Sequence, residues 1–408
     1  MKPLGPIPAG YTSLDGELAI GGRKASALVK EARRTPVFVY SRDLMTQRIE
    51  ALRKAMPARL KLHYAMKANP FPPLLEHISE LVDGLDIASG GELEIARAAG
   101  YLPREISFAG PGKRDAELKA AITTGVTLNC ESEGEISRAL AMGKALSVKP
   151  RLAIRVNPGF EMHGSGMKMG GGAKPFGIDE EQVPGLARRI VDEGADWRGF
   201  HIYTGSQALD ASAIIETQAN VLALASRLAE QAGVAVPHLN MGGGFGIPYF
   251  DKDEPLDIAA IGSALAAQLM QLPENLRETE FAIELGRYIV GEAGVYLTRI
   301  VDRKVSHGVT YLVTDGGLHH QLAASGNFGA VVRRNYPVAI ANRFDATPEE
   351  EASVVGCLCT PLDRLADNAL LPRADVGDLV AVFCAGAYGA SASPATFLGQ
   401  GPAAEILV

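Results

Sequence analysis

Between residues 60 and 287 the chain alternates short β-like runs with longer helix-like stretches, and it does so eight times. The runs are 60–69 (LKLHYAMKAN), 84–89 (GLDIAS), 106–110 (ISFAG), 127–132 (TLNCES), 151–157 (RLAIRVN), 197–205 (WRGFHIYTG), 238–244 (HLNMGGG) and 280–287 (EFAIELGR). Between them, stretches such as 92–99 (ELEIARAA) and 211–232 repeat apolar residues at steps of three and four, the period of a helix packed on one face. The first four runs start 21 to 24 residues apart, the length of one strand-plus-helix unit. Strands joined by helical crossovers pair in parallel, and eight of them predict an α/β fold of the (β/α)8 TIM-barrel kind. A doubly wound open sheet usually has fewer strands, and no G-x-G-x-x-G follows the first run.

The rhythm changes after residue 290. Segments 295–301, 311–314, 337–341, 353–359 and 379–385 are strand-like, separated by turn signals at 306–308, 315–317 and 375–378, with little helical periodicity between them. The expected organisation is an N-terminal segment 1–36 that pairs with a β domain, a barrel over 37–290, and a mainly β, sandwich- or barrel-like domain over 291–408. Forty Lys and Arg against 47 Asp and Glu, with no dense basic run, argue against nucleic acid as the main partner. No stretch of about 18 apolar residues predicts a membrane span. The opening MKPLGPIP lacks the apolar segment of a signal peptide. Cysteines at 130, 357, 359 and 384 are too few for a disulfide framework, so a reducing cytoplasm is expected.

Barrel enzymes carry their sites at the C-terminal ends of the strands, and the reactive residues of this chain collect there. Lys67 ends the first run in an apolar and aromatic context; a desolvated amine there is a Schiff-base former, although a lysine can equally mark a solvated strand end. Gly205-Ser206, Gly242-Gly243-Gly244 and Gly286-Arg287 offer backbone amides and a guanidinium to a phosphate, while each glycine group alone also suits a tight turn. Glu284, at the same level, would keep a pyridine nitrogen protonated, or stand as an exposed carboxylate. Lysine, phosphate cup and carboxylate together describe pyridoxal 5'-phosphate. A metal site is not expected, because no histidine or second cysteine pair accompanies Cys357 and Cys359.

Seven motifs in order carry a family resemblance: HYAMKANP (63–70), DIASGGELEIA (86–96), GSQ (205–207), MGGGFGIPY (241–249), ELGR (284–287), CLCTPLD (357–363) and GAYG (386–389). From about residue 35 onward the chain resembles the fold-type III pyridoxal-phosphate-dependent decarboxylases of diaminopimelate, ornithine and arginine, built from an alanine-racemase-type barrel and a β domain. The resemblance implies that Lys67 forms the Schiff base and that Ser206, Gly242, Gly243, Gly244, Gly286 and Arg287 surround the phosphate, with Tyr388 reaching it from the β domain. It implies Glu284 on the pyridine nitrogen, and Cys359 as the proton donor contributed across a homodimer with shared sites. Arg287, Thr360, Asp363 and Tyr388 would face the substrate, an amino acid or an aminoacyl-carrier protein.

Departures from the family are concentrated around the substrate. Thr360 stands where the diaminopimelate and ornithine enzymes place an acid that meets a distal ammonium, and Leu285 replaces the proline of their E-P-G-R. The position of the family's ring-stacking histidine reads Tyr203, with His201 two residues earlier on the same strand face; either ring could cover the cofactor, and position favours Tyr203. The arginine and tyrosine that grip a distal carboxylate have no match in 318–332, though Arg333 and Arg334 follow closely. An insertion at 159–178 (GFEMHGSGMKMGGGAKPFGI), carrying Lys168 and Lys174, is expected to form a mobile lid. With CTPLD it resembles the subgroup that decarboxylates aminoacyl groups on acyl carrier proteins, including glutamyl-carrier decarboxylases of aminoglycoside pathways and those found with exosortase A systems. The alternatives are a decarboxylase of free diaminopimelate, ornithine or lysine, a racemase of the same fold, a non-catalytic cofactor-binding protein and, more distantly, a metal-dependent barrel hydrolase. Racemases of this fold set an arginine by the pyridine nitrogen, so Glu284 favours decarboxylation. Lys67→Ala is expected to lose both activity and the visible absorbance of the bound cofactor; full activity in that variant would overturn the assignment.

Overall fold

The computed structural model describes residues 1–162, 164, 166–326 and 333–408; the side chains of Met167 and Lys168 are not among the described parts. His163, Ser165 and the Lys168 side chain of the expected lid, and 327–332 of the segment 318–332, therefore lie outside the described residues. The chain divides into two compact units, Arg48–Gly246 with Leu256–Leu285, and Met1–Gln47 with Ile247–Pro255 and Gly286–Val408. Among the described residues no helix is long and apolar enough to cross a membrane.

The first unit is a closed barrel of eight parallel strands: β1 Leu60–Ala65, β2 Gly84–Ile87, β3 Ile106–Phe108, β4 Thr127–Cys130, β5 Arg151–Asn157, β6 Asp196–Ile202, β7 His238–Gly243 and β8 Glu280–Leu285. Closure comes from β8 pairing with β1, Phe281 opposite Leu60 through Leu285 opposite Tyr64. Helices return the chain between strands, and their starts are written in the sequence. Ser89 accepts the amide of Glu92, Ser132 that of Glu135, and Asp257 that of Ala260, each satisfying a donor that the first helical turn leaves unpaired. Gly125 and Gly233 end two helices in the left-handed conformation that favours glycine.

Alternation along the strands sorts the two faces. Leu85, Phe108, Leu152, Ile154, Phe200, Leu239 and Phe281 are fully buried on the outer face, each contributing about 1.5–3 kcal/mol by leaving water. The other face carries His63, Asp86, Asn129, Arg155, His201, Asn240 and Glu284, all buried. Barrels of this kind are usually filled with branched aliphatic layers, so this interior is polar by departure. Toward the C-terminal end of the barrel its charges are paired. Arg155 Nη1 donates to Glu131 Oε1 at 2.8 Å. At the β3 and β4 ends, Lys113 Nζ donates to Gly110 O, Asn129 O and Glu135 Oε1 at 2.8, 2.9 and 2.8 Å.

The second unit is mainly β: β9 Gly294–Ser306, β10 Val309–Thr314, β11 Val338–Ile340, β12 Glu350–Val355, β13 Arg364–Leu371, β14 Leu379–Val382 and β15 Ala404–Leu407. They run in the order β11-β14-β9-β10-β12-β13, and the N-terminal strand Val37–Tyr40 pairs antiparallel with β9 and parallel with β15. Its core joins Leu18, Ile20 and Leu28 to Val37, Val39, Val295, Leu297 and Phe383. Packing thus sets the divisions away from 36/37 and 290/291: the strand after Pro36 belongs with the β sheet, as do Ile247–Pro255 and the residues from Gly286. Lys113→Met is expected to destabilise the protein by roughly 3–5 kcal/mol, because it strands the buried Glu135 carboxyl without its cation. Equilibrium denaturation checks this, and Lys113→Met combined with Glu135→Leu should recover much of the loss.

Candidate active site

Lys67 follows β1 in the short turn Met66–Ala68. The turn is fixed from both sides, since Tyr64 Oη donates to Asn69 O at 2.9 Å and Asn69 Oδ1 accepts the Phe71 amide at 3.0 Å. Met66 and Ala68 are buried but Lys67 is exposed. The protein itself therefore does not desolvate the amine, as the run's apolar context suggested; the turn points the side chain out of the strand's packed face. Its Nζ lies 5.4 Å from the centre of the Tyr203 ring.

The ends of β6, β7 and β8 interlock around one carboxylate. His201 Nε2 lies 2.9 Å from Glu284 Oε2, and Asn240 Nδ2 donates to the same oxygen at 3.0 Å. Burial alone would raise the Glu284 carboxyl; the His201 charge and hydrogen bond, with Lys67 and Arg155, outweigh it and hold the group well below the usual carboxylate range. Glu284 is thus a buried anion, not an exposed strand-end acid. His201 is spent on this pair, which leaves Tyr203 as the aromatic beside Lys67.

Asn240 also accepts the Gly242 amide on its Oδ1 at 2.9 Å, so one side chain ties the glycine run to the carboxylate. The β7–β8 register shifts between Asn240 and Gly243. A Cβ at Gly243 would sit 1.9 Å from the Glu284 carbonyl oxygen, so no other residue fits there. Gly244 has φ +86° and a Cβ would meet Gly205 O at 2.4 Å. Ser206 lies on the two-residue strand Gly205–Ser206, paired antiparallel with Met167–Lys168. The Met169 and Gly170 amides both donate to Thr204 O, at 3.0 and 3.1 Å, and the Gly177 amide to Glu131 Oε2 at 3.1 Å, so the described part of the insertion is fastened to the strand ends.

Within the second unit, Arg287 opens the short helix Arg287–Val290 directly after Gly286. Its Nη1 donates to Tyr249 Oη at 2.7 Å, and its guanidinium carbon lies 4.8 Å from the centre of the Tyr388 ring. Tyr388 holds φ +59°, a left-handed conformation that aims the ring at Arg287. Arg287 Nε is buried and has no hydrogen-bond partner among the described residues. The CLCTPLD segment is a loop between β12 and β13. Cys359 is exposed on it and Thr360 half-buried. Asp363 is 2% exposed, with Oδ1 accepting the Leu318 amide at 2.6 Å and Oδ2 that of Leu358 at 2.8 Å. Both oxygens are therefore committed to backbone, which makes Asp363 an anchor of the loop in place of the substrate contact expected for it. Arg333 Nη2 donates to Leu362 O on this loop at 3.2 Å, whereas Arg334 stacks on Phe250.

Lys67, Tyr203, Ser206, Gly242 to Gly244 and Glu284 meet at the C-terminal end of the barrel, and Arg287 meets Tyr388 in the second unit. Sequence reading missed Asn240, Tyr249 and the Glu131–Arg155 pair; Asn240's place two residues before the glycine run was the available signal. The barrel residues fit pyridoxal 5'-phosphate: a glycine run that a Cβ would fill and an ionised buried carboxylate are what its phosphate and ring require. A barrel with that equipment defines a pyridoxal-phosphate enzyme.

Residues 42–291 match the family model for the pyridoxal-dependent decarboxylases, pyridoxal binding domain. The chain belongs to that decarboxylase family. It is 35% identical over 379 residues, 91% of this chain and 88% of the relative, to L-glutamyl-[BtrI acyl-carrier protein] decarboxylase of Niallia circulans. It is 33% identical over 402 residues, 98% and 93% of the two chains, to diaminopimelate decarboxylase of Archaeoglobus fulgidus. The crystal structure of Helicobacter pylori diaminopimelate decarboxylase complexed with L-lysine superposes with a TM-score of 0.82 at 26% identity, covering 94% of each chain. The protein is a pyridoxal-phosphate-dependent decarboxylase. Gly243→Ala is expected to weaken cofactor retention by about tenfold or more, since the clash moves the glycine amides, each worth about 1.5–3 kcal/mol to a charged ligand. Titration of the apoprotein with cofactor, followed by visible absorbance, measures it.

Proposed function

We propose that the chain removes the free α-carboxylate of an amino acid held on an acyl carrier protein through its side-chain carboxyl, and works as a homodimer with shared sites. The observation that carries this reading is the charge of the Cys359–Asp363 loop. A free basic amino acid brings a distal ammonium, which needs a carboxylate once it leaves water. This loop offers none: Thr360 is neutral, its hydroxyl accepts the Leu362 amide at 3.3 Å, and both oxygens of Asp363 are bound to backbone. An amino acid joined to a carrier through its side-chain carboxyl keeps its α-carboxylate free and has no distal charge to meet. The relative from Niallia circulans, named for a glutamyl-carrier substrate, supports the same choice.

When bound, pyridoxal 5'-phosphate supplies an electron sink for the pair left behind as CO2 departs. Lys67 would hold it through the amine. The amides of Gly242, Gly243, Gly244 and Gly286, the Ser206 hydroxyl and Arg287 would take the phosphate, with Tyr388 beside Arg287. Glu284, kept ionised by His201, would hold a proton on the ring nitrogen, and Tyr203 would cover the ring face. Cys359, exposed on its loop, would deliver a proton to the substrate α-carbon of the partner subunit's site. Thr360 would border the carrier-linked end, while Asp363 sets the loop's shape. An exposed catalytic thiol suits a reducing compartment such as the cytoplasm.

A CO2-release screen with cofactor-loaded protein tests the substrate. Glutamate bound to the carrier through its side-chain carboxyl, or another amino acid linked in the same way, is expected to turn over, with free lysine, ornithine and diaminopimelate slower by about 100-fold, the usual scale for a lost charge-pair interaction of about 3 kcal/mol. Efficient decarboxylation of a free diamino acid, with no reaction on carrier-bound substrates, would falsify the proposal.

A further inference from the structure

The N-terminal mouth of the barrel, at the opposite end of the strands from Lys67, encloses a cavity of about 590 Å³. Small-molecule sites span about 300–1,000 Å³, so its size suits a ligand. It exists because the inward positions near this mouth hold small or polar groups such as Ala153, Ser107 and Asn129 where aliphatic layers would otherwise fill the barrel. Its wall carries Lys61, Arg104, Arg151, Arg198, His63 and His238 against the acids Asp83, Glu105 and Glu280.

These cations are poorly neutralised. Arg151 Nε and Arg198 Nη1 share the single carboxylate of Asp196, each at 3.7 Å, beyond hydrogen-bond reach. Arg151 Nε is buried with no hydrogen-bond partner among the described residues. Lys61 stands 4.0 Å from Asp83, a carboxylate already held by Arg53 at 2.6 Å and by the Leu62 amide at 2.8 Å. Arg104 lies 3.9 Å from Glu105. Glu280 is the remaining acid of the lining. The histidines register the resulting field. Burial, then the charges of His63, Arg198, His201 and Arg151, drive His238 down to about 3. Burial also works against protonation of His63, but Asp86, Glu284 and Asp83 prevail and raise it, opposite in direction to His238.

We propose that this cavity binds a small phosphate-bearing anion, inorganic phosphate or a phosphomonoester, clamped by Arg151 and Arg198 with Lys61 and His63 completing the shell. Guanidinium groups match phosphate oxygens in pairs, and a partly enclosed site strengthens each contact over its value in water. The site is also wired to the chemistry above it. Asn240 lines the cavity, and the same side chain holds Glu284 Oε2 and the Gly242 amide. An anion below Asn240 would therefore lie one side chain away from Glu284 and the Gly242 amide.

The test uses full-length, cofactor-loaded protein, so that the cofactor's own phosphate site is filled. Calorimetric titration with inorganic phosphate and with glycerol 3-phosphate, at low salt, is expected to show saturable binding of one equivalent per chain. Tighter binding of the ester points to a phosphorylated metabolite, tighter binding of phosphate to the free ion. Arg151→Gln with Arg198→Gln should weaken binding by about tenfold or more through loss of charge-assisted hydrogen bonds, while the visible absorbance of the bound cofactor stays unchanged. Lys61→Gln, at an exposed position, should weaken binding severalfold and serves if the double variant does not fold. Absence of saturable binding for both probes, or unchanged affinity in a folded variant, overturns the proposal.

Discussion

A buried negative charge has to be compensated where it stands, and in this barrel that requirement falls on Glu284. The carboxylate is held by His201 from β6 and Asn240 from β7, so three neighbouring strands are fixed relative to one another by one anion. The same demand shapes the backbone. Asn240, used on one side for Glu284, takes the Gly242 amide on the other, and the register shift that follows places Gly243 against the Glu284 carbonyl. Electrostatic compensation in the core and exposure of backbone amides at the rim are therefore one arrangement. Glu131 repeats the logic lower in the sequence order, accepting from Arg155 and from the Gly110 and Gly177 amides, and so binding the inserted segment to β5.

Much of this was legible in the residues. The barrel strands announce themselves because one face is aliphatic and the other polar, and helix starts at Ser89 and Ser132 carry their own capping chemistry. The β unit was read less completely. Arg364–Leu371 (RLADNALL) is rich in residues that favour helices, and it is a strand only because β12 supplies its hydrogen-bond partners, a long-range fact that local composition does not hold. Ala404–Leu407 is a strand for the same reason, next to Val37–Tyr40. At the site, identities were readable and employments were not. His201 and Tyr203 share a strand face, and only the packing shows that one faces Glu284 and the other Lys67. Asp363 looked available for a ligand, yet its oxygens close a turn.

The loop that carries Cys359 and Thr360 is held in shape by a few backbone contacts. Asp363 gathers two amides, from Leu318 and Leu358, and so sets the curvature that leaves the thiol outward. Residues on the outside of such a curve can change character without disturbing it. Arg333, donating to Leu362 O, braces the same loop from another segment.

The interleaving of the two units has a consequence for biosynthesis. The barrel is drawn from a nearly continuous stretch ending at Leu285, so it can close while the ribosome is still adding residues. The β sheet has no such liberty. Val37–Tyr40, made early, sits between β9 and β15, and its second neighbour is Ala404–Leu407. An early strand must wait, with one edge unpaired, for almost the whole chain to emerge, and exposed strand edges invite pairing with other chains. Fusions or truncations that disturb residues 404–407 should therefore cost yield through aggregation of newly made chains before they cost anything in the finished barrel.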